Sequence, residues 1–128
     1  MRYLLDAHTL IWFLEDDEKL SRRARSEIKN IRNQCFVSIA VLWEIAIKVS
    51  LGKLQLRAEF NKIHEFLHET SIEILPLELE HLEVLLHLDF HHRDPFDRII
   101  IAQAESEDLI VISKDSFFSK YSQVKSLW

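Results

Sequence analysis

Leu109-Ile-Val-Ile-Ser113 is a short, continuous apolar run, which is typical of a β-strand covered on both faces. Four further short strands are predicted, at residues 2–5, 35–38, 72–75 and 124–127. Between the strands, apolar residues spaced by three or four predict helices, at residues 9–15, 21–30, 39–51, 59–69, 77–88 and 94–107. Strands that alternate with helices in this way favour an α/β fold of three layers, with helices on both faces of a central, mainly parallel sheet.

The composition is that of one globular domain. The chain has 128 residues, of which 48% are hydrophobic and 29% charged, and this balance argues against disorder. We therefore expect residues 1–128 to fold as a single domain. The single cysteine, Cys35, rules out an internal disulfide and the usual zinc-finger spacings. No apolar run approaches the ~18 residues of a membrane span and the start shows no signal-peptide pattern, so we expect a cytoplasmic protein.

Charge is distributed unevenly along the chain. The net charge of −5 would not attract nucleic acid through the overall field of the protein. Residues 19–33 nevertheless carry six basic side chains against one acidic, whereas residues 58–90 carry eight acidic against one basic. Two solvated helix faces explain both segments. Alternatively, the basic segment guides a polyanion towards a site elsewhere, with Arg22 to Arg25 contacting its backbone.

Acidic residues occur at predicted strand ends and near predicted helix starts. They are Asp6 and Asp115 after two strands, Glu44 in the first half of a helix, and Asp94 and Asp97 in the first turn of another. In an open parallel sheet the binding crevice lies beyond the carboxyl ends of the strands, so we expect these carboxylates to converge there. Mg²⁺ or Mn²⁺ would offset their mutual repulsion, because these ions prefer oxygen ligands. Such ions polarise phosphoryl oxygens and lower the pKa of bound water, which suits phosphodiester hydrolysis.

Each of these acids also has a purely structural interpretation. Asp94 is placed to cap a helix, and Asp6 could cap the helix that follows it. Glu44 and Lys48 have the spacing of an ordinary i,i+4 ion pair, and Asp115 could belong to a turn. The joint placement of the acids, rather than any one of them, favours a site.

Two other functions compete with hydrolysis of a phosphodiester. His64, Glu65 and His68 satisfy the H-E-x-x-H motif, in which two histidines bind zinc and the glutamate is the base of a protease. No strong pattern for a third zinc ligand follows. A receiver-like signalling domain, which binds metal without being a nuclease, also places acids at strand ends. It would need an adjacent acidic pair after the first strand, and Asp6 has no acidic neighbour.

Several segments together resemble one known family over nearly the whole length of the chain. They are Leu-Leu-Asp-Ala-His-Thr-Leu-Ile-Trp at 4–12, Val-Ser-Ile-Ala-Val-Leu-Trp-Glu-Ile-Ala-Ile-Lys at 37–48, Leu-Gly-Lys-Leu at 51–54, His-His-Arg-Asp-Pro-Phe-Asp-Arg-Ile-Ile-Ile-Ala-Gln-Ala at 91–104 and Ile-Ser-Lys-Asp at 112–115. The chain resembles the PIN-domain ribonucleases, specifically the VapC-like toxins of toxin–antitoxin pairs.

This resemblance implies a PIN-like fold and an endoribonuclease that depends on Mg²⁺ or Mn²⁺. The acids that match the metal-binding, catalytic residues of the family are Asp6, Glu44, Asp97 and Asp115. Asp94 is an additional acid, either a further ligand or only a cap. The resemblance also implies a homodimer and a cognate antitoxin that blocks the site, and we expect apolar surface around Trp12 and Phe13 to receive that antitoxin.

One departure from the family pattern is Ala7, where a threonine is expected. A hydroxyl that could orient Asp6 or a metal-bound water is therefore missing, and Thr9 and Ser113 are the candidate replacements at the substrate site. We expect His92 and Arg98 to contact the phosphates of the RNA. Trp43 is expected in the core or in contact with a partner, and stacking on RNA bases is the alternative.

Overall fold

The computed structural model describes residues 1–91 and 94–128, and its centre is a sheet of five parallel strands. The strands are β1 (Arg2–Leu5), β2 (Gln34–Ser38), β3 (Glu73–Leu75), β4 (Ile110–Ile112) and β5 (Ser126–Leu127). The helices described around them are α1 (Ala7–Leu14), α2 (Arg22–Lys29), α3 (Ile39–Ser50), α4 (Lys62–Thr70), α5 (Leu79–Leu86) and α6 (Pro95–Glu107). A 3-10 helix spans Ser116–Lys120. The predicted three-layer α/β architecture with a mainly parallel sheet is confirmed.

The order of the strands determines where a ligand crevice can form. The sheet runs β3-β2-β1-β4-β5, and Leu5 at the end of β1 pairs in register with Val37 on one side and Ile112 on the other. The chain moves outwards from β1 to β3 and then crosses back to β4, so its direction reverses between β1 and β4. In doubly wound sheets the crevice lies at this reversal, beyond the carboxyl ends of the strands.

The central strands are buried on both faces, which explains why their sequences are continuously apolar. Leu4, Leu5, Val37, Val111 and Ile112 have no exposed surface. Burying one such side chain contributes roughly 1.5–3 kcal/mol, so these short strands anchor the sheet despite their length.

Several helix boundaries differ from those predicted. The predicted helix 59–69 begins only at Lys62, after a segment in which the Arg57 amide donates to Glu15 at the end of α1. The helix predicted from residue 9 begins at Ala7, because the carboxylate of Asp6 caps it. The 3-10 helix after β4 was not predicted from the sequence.

The described helices do not include one that could cross a membrane. Across the two described ranges, none of the helices combines the length and the apolar character that crossing a bilayer requires.

A buried cluster at the amino end of the sheet links β1, β2 and α2. The Tyr3 hydroxyl donates to Glu27 Oε2 at 2.8 Å. Burial, reinforced by this hydrogen bond, raises the pKa of Tyr3 to about 12. Burial, reinforced by the charge of Glu27, raises the pKa of the Cys35 thiol to about 11. Both groups are therefore neutral in the folded protein well above the pH at which they ionise in the unfolded chain.

This cluster predicts loss of stability in alkali. Above pH 9 the unfolded chain binds fewer protons than the folded protein, so the free energy of unfolding falls as the pH rises towards 12 and is fully retained below pH 9. By pH 11 the contribution of Tyr3 to this fall is about 1 kcal/mol. Urea unfolding between pH 8 and pH 11 measures it, and Tyr3→Phe should show a shallower fall between pH 10 and pH 11. The same slope in both proteins would show that folding does not raise the pKa of Tyr3.

Candidate functional site

Asp6 is held rigidly at the carboxyl end of the central strand. Its Oδ1 accepts a hydrogen bond from the Thr9 amide at 3.0 Å, which caps α1, and its Oδ2 accepts from the Ser113 hydroxyl at 2.5 Å. Ser113 directly follows β4, so this bond spans the point at which the strand order reverses. A carboxylate has about four lone-pair sites, and Asp6 therefore retains acceptor capacity for a ligand.

Ser113 also connects Asp6 to Asp115. The Ser113 hydroxyl oxygen accepts from the Asp115 amide at 3.0 Å, and Asp115 Oδ1 accepts from the Phe117 amide at 3.1 Å. Asp115 therefore caps the 3-10 helix, while its side chain lies at the surface. We call Asp6, Ser113 and Asp115 the Asp6 group.

The hydroxyl that Ala7 lacks is supplied by Ser113 and not by Thr9. Ser113 is buried and orients the carboxylate of Asp6. Thr9 is completely buried, and its hydroxyl donates to the Ile112 carbonyl at 2.8 Å, which ties α1 to β4. Direct contact of the Thr9 hydroxyl with substrate is therefore corrected to a structural role, and Ser113 acts through Asp6.

Glu44 is a buried carboxylate with only one oxygen paired. The Ser38 side chain caps α3, and six residues further along the helix Glu44 is only 7% exposed. Its Oε2 accepts from the Lys48 ammonium at 2.8 Å. Its Oε1 is buried and, among the described residues, has no hydrogen-bond donor. An unpaired buried anionic oxygen is costly, so this atom is an acceptor suited to a cation.

Asp94 and Asp97 bring further negative charge to Lys48. Asp94 Oδ1 accepts from the amides of Phe96 at 2.9 Å and Asp97 at 3.3 Å, so Asp94 is the N-cap of α6. The hydrogen bond to Glu44 raises the pKa of Lys48 despite its partial burial, and the charges of Glu44, Asp94 and Asp97 raise it further. We call Glu44, Lys48, Asp94 and Asp97 the Lys48 group.

An aromatic contact joins α3 to the first turn of α6. The Trp43 and Phe96 rings meet edge to face with centroids 5.3 Å apart. Trp43 remains 62% exposed, so the core is wrong as its predicted place, and contact with a partner stays a prediction.

The donor chemistry of the acids fits a hard divalent cation, because all the side-chain ligands are carboxylate oxygens and Glu44 Oε1 is unpaired. However, within residues 1–91 and 94–128 no three histidine, cysteine, aspartate or glutamate side chains stand together as a group that could hold a metal ion. Among the described residues the acids therefore form two groups, and the expected convergence into one cluster is not seen there.

Arg98 and His92 were both predicted to contact RNA, and the structure describes the first of them. Arg98 is buried, donates to the Asp89 carbonyl at 2.9 Å and lies 4.0 Å above the Phe90 ring. Its predicted contact with RNA is therefore corrected to anchoring the loop before α6. His92 lies outside the described residues.

The basic segment also lies away from the acids. Arg25 pairs with Asp16 at 2.6 Å, and the Tyr3–Glu27 hydrogen bond holds α2 beside the amino end of β1. Asp6 is at the opposite end of that strand. The segment from Arg22 to Arg25 is thus not part of the acidic site.

The two competing functions gain no support from the structure. His64, Glu65 and His68 are exposed on α4, where Glu65 pairs with Lys62 at 3.7 Å, and no metal-holding group includes them in the described part of the chain. A receiver domain has the strand order 2-1-3-4-5, whereas this sheet has the order β3-β2-β1-β4-β5.

Comparison with known proteins identifies a family and a set of structural relatives. The PIN domain family model matches residues 3–124. No curated protein matches the chain. The fold is similar to VapBC2 from Rickettsia felis, bound to a DNA fragment from its promoter, with a TM-score of 0.76, 16% identity and coverage of 99% of this chain and 98% of that chain.

Two further solved structures share the fold. VapBC-1 from nontypeable Haemophilus influenzae has a TM-score of 0.74 and 17% identity, and the match covers 99% of this chain and 97% of that chain. A toxin–antitoxin complex from Klebsiella pneumoniae has a TM-score of 0.61 and 18% identity, with coverage of 95% and 94%. At these identities the likeness is one of fold.

The role of Ser113 predicts that its hydroxyl stabilises the fold. Ser113→Ala leaves Asp6 Oδ2 and the Asp115 amide without their shared partner, so the free energy of unfolding should fall by about 1–3 kcal/mol in urea unfolding without added metal. Ser50→Ala is the control, because the Ser50 hydroxyl makes an exposed bond to the Ile47 carbonyl, and its removal should cost less than about 0.5 kcal/mol. Equal losses in the two variants would contradict this role.

Proposed function

The chain belongs to the PIN domain family, whose members are generally nucleases, and we propose on this basis that it is a metal-dependent endoribonuclease. The observation that carries the proposal is Glu44, a buried carboxylate with one oxygen unpaired in the described part of the chain. A buried charge of this kind is destabilising unless a cation completes it. The proposed substrate is RNA, and the proposed reaction is hydrolysis of its phosphodiester bonds.

Asp6, Glu44, Asp97 and Asp115 are the residues that would hold Mg²⁺ or Mn²⁺, and Asp94 caps α6. When bound, such an ion polarises a phosphoryl oxygen and lowers the pKa of water, which is the chemistry that hydrolysis requires. The chain supplies the positioning. Ser113 and the Thr9 amide fix the carboxylate of Asp6, and Glu44 is held by its burial within α3, so both carboxylates are positioned before a substrate binds.

We also propose that the protein is the toxin of a toxin–antitoxin pair and that a cognate antitoxin covers this site. The Klebsiella pneumoniae complex, whose fold the chain shares over 95% of its length, supports this. Trp12 and Phe13, where we expected the antitoxin, are half-buried against Trp128 and Phe66. Trp43 on α3 is more exposed than either of these two side chains. A cytoplasmic location and a single domain over residues 1–128 remain predictions.

A homodimer is proposed through α5. Leu79, Leu82 and Leu86 are spaced by three and four residues and are exposed along one side of this helix, while α5 also packs against α6. A helix stripe of this kind can pair with the same stripe of a second copy about a two-fold axis.

The acids predict a sharp loss of activity on neutral substitution. Asp6→Asn and Asp97→Asn should each lower Mg²⁺-dependent cleavage of single-stranded RNA at least about 100-fold, because one anionic ligand is removed while asparagine still suits a helix cap at residue 6. Chelation of the metal should abolish cleavage, and added Mg²⁺ should restore it.

The matched control is Asp108→Asn, at the other end of α6. Asp108 is exposed and has a φ of 54°, a conformation that asparagine also tolerates, so full activity is expected. Undiminished cleavage by both site variants would refute the assignment. Metal binding without RNA cleavage, together with labelling by acetyl phosphate, would instead favour the receiver-like alternative.

The leucine stripe predicts the oligomeric state. Light scattering should give the native protein a mass of about 30 kDa, twice that of the 15.2 kDa chain. Leu86→Glu should give the mass of one chain, because a charge in an apolar interface is unpaired. Leu51→Glu, at another exposed leucine outside the stripe, should remain dimeric. A monomeric native protein would contradict the proposal.

A further inference from the structure

Lys48 lies where a positive charge is needed in the metal-free protein. Its ammonium is 2.8 Å from Glu44 Oε2, and only 9% of the Glu44 side chain is exposed. The carboxylates of Asp94 and Asp97 act on the same ammonium. Lys48 is thus the cation of a site whose other members, among the described residues, are acids.

The same oxygens are the ones a divalent ion would use. Lys48 contacts Oε2 of Glu44, and Oε1 is buried without a donor in the described part of the chain, so a divalent ion that takes both oxygens would compete with the ammonium. A lysine ammonium is a compact point charge on a flexible stem, and 43% of the Lys48 side chain is exposed. It can therefore leave Glu44 for solvent or substrate without disturbing α3.

We propose that Lys48 is a built-in counter-ion that a divalent metal displaces from Glu44, and that the released ammonium then binds a phosphate of the RNA. This inference rests on the proposed ribonuclease function and adds a substrate-positioning residue to it.

An exposed ion pair within a helix would behave differently, and the chain contains one for comparison, spaced i,i+3 where Glu44 and Lys48 are spaced i,i+4. Lys62 and Glu65 form a helical pair at 3.7 Å, with side chains 64% and 66% exposed. Exposed ion pairs of this kind contribute little to the free energy of unfolding, and this pair lies outside the proposed metal site. Lys62→Met is therefore the matched control for Lys48→Met, in which the stem is kept and the charge removed.

The first experiment uses the purified protein without RNA. In Lys48→Met the affinity for Mn²⁺, measured by isothermal titration calorimetry, should rise about three- to tenfold, because the metal no longer displaces an ammonium. In chelator, the same variant should unfold about 5 °C below the native protein, and added Mn²⁺ should reverse this difference. Lys62→Met should match the native protein in both measurements. If folded Lys48→Met bound Mn²⁺ as tightly as the native protein or more weakly, the proposal that the metal displaces Lys48 from Glu44 would be wrong.

The second experiment measures cleavage of a short single-stranded RNA at saturating Mg²⁺. Lys48→Met should raise KM about tenfold with a smaller change in kcat, and the dependence of binding on salt should weaken by about one phosphate contact. Lys48→Arg, which keeps the charge, should have a KM close to that of the native protein. A KM equal to that of the native protein would overturn the phosphate contact. If neither the native protein nor any variant cleaved RNA, the proposed function would be refuted. The Mn²⁺ titration would still show whether the metal displaces Lys48 from Glu44.

Discussion

The buried hydrogen bond from Ser113 to Asp6 is the contact on which the site depends. It joins the ends of β1 and β4 at the one place where the strand order reverses. The same hydroxyl accepts the Asp115 amide, so one side chain fixes two acids from distant parts of the sequence. The position of the acidic end of the sheet is therefore a consequence of strand order, and a single serine converts that position into a defined geometry.

The acids of this protein are useful to the fold as well as to the site. Asp6, Asp94 and Asp115 each accept backbone amides at the start of a helix, where a negative charge is stabilised. Glu44 has no such role, since it lies within α3, and among the described residues its carboxylate is paired with Lys48. The electrostatic cost of gathering carboxylates is thus offset by helix termini at three positions and by a lysine at the fourth.

The sequence was sufficient to predict the parallel α/β fold and most of its elements, because apolar periodicity and capping residues act locally. It was insufficient where a distant contact decides the outcome. The segment before α4 is tied to the end of α1 by the bond from the Arg57 amide to Glu15, and the buried Arg98 donates to the carbonyl of Asp89. The i,i+4 spacing of Glu44 and Lys48 was evident, but only the packing of α3 shows that the carboxylate is buried and half paired.

The double use of the acids has a consequence for inferring activity in related chains. A descendant that had lost all catalysis would still be under selection to keep a capping residue, with aspartate among the preferred ones, at the positions of Asp6 and Asp94, because those residues begin helices. Their presence would therefore say little about whether an enzyme survives. The position of Glu44 is the more informative marker, since a buried glutamate without a capping duty has only its chemistry to preserve it.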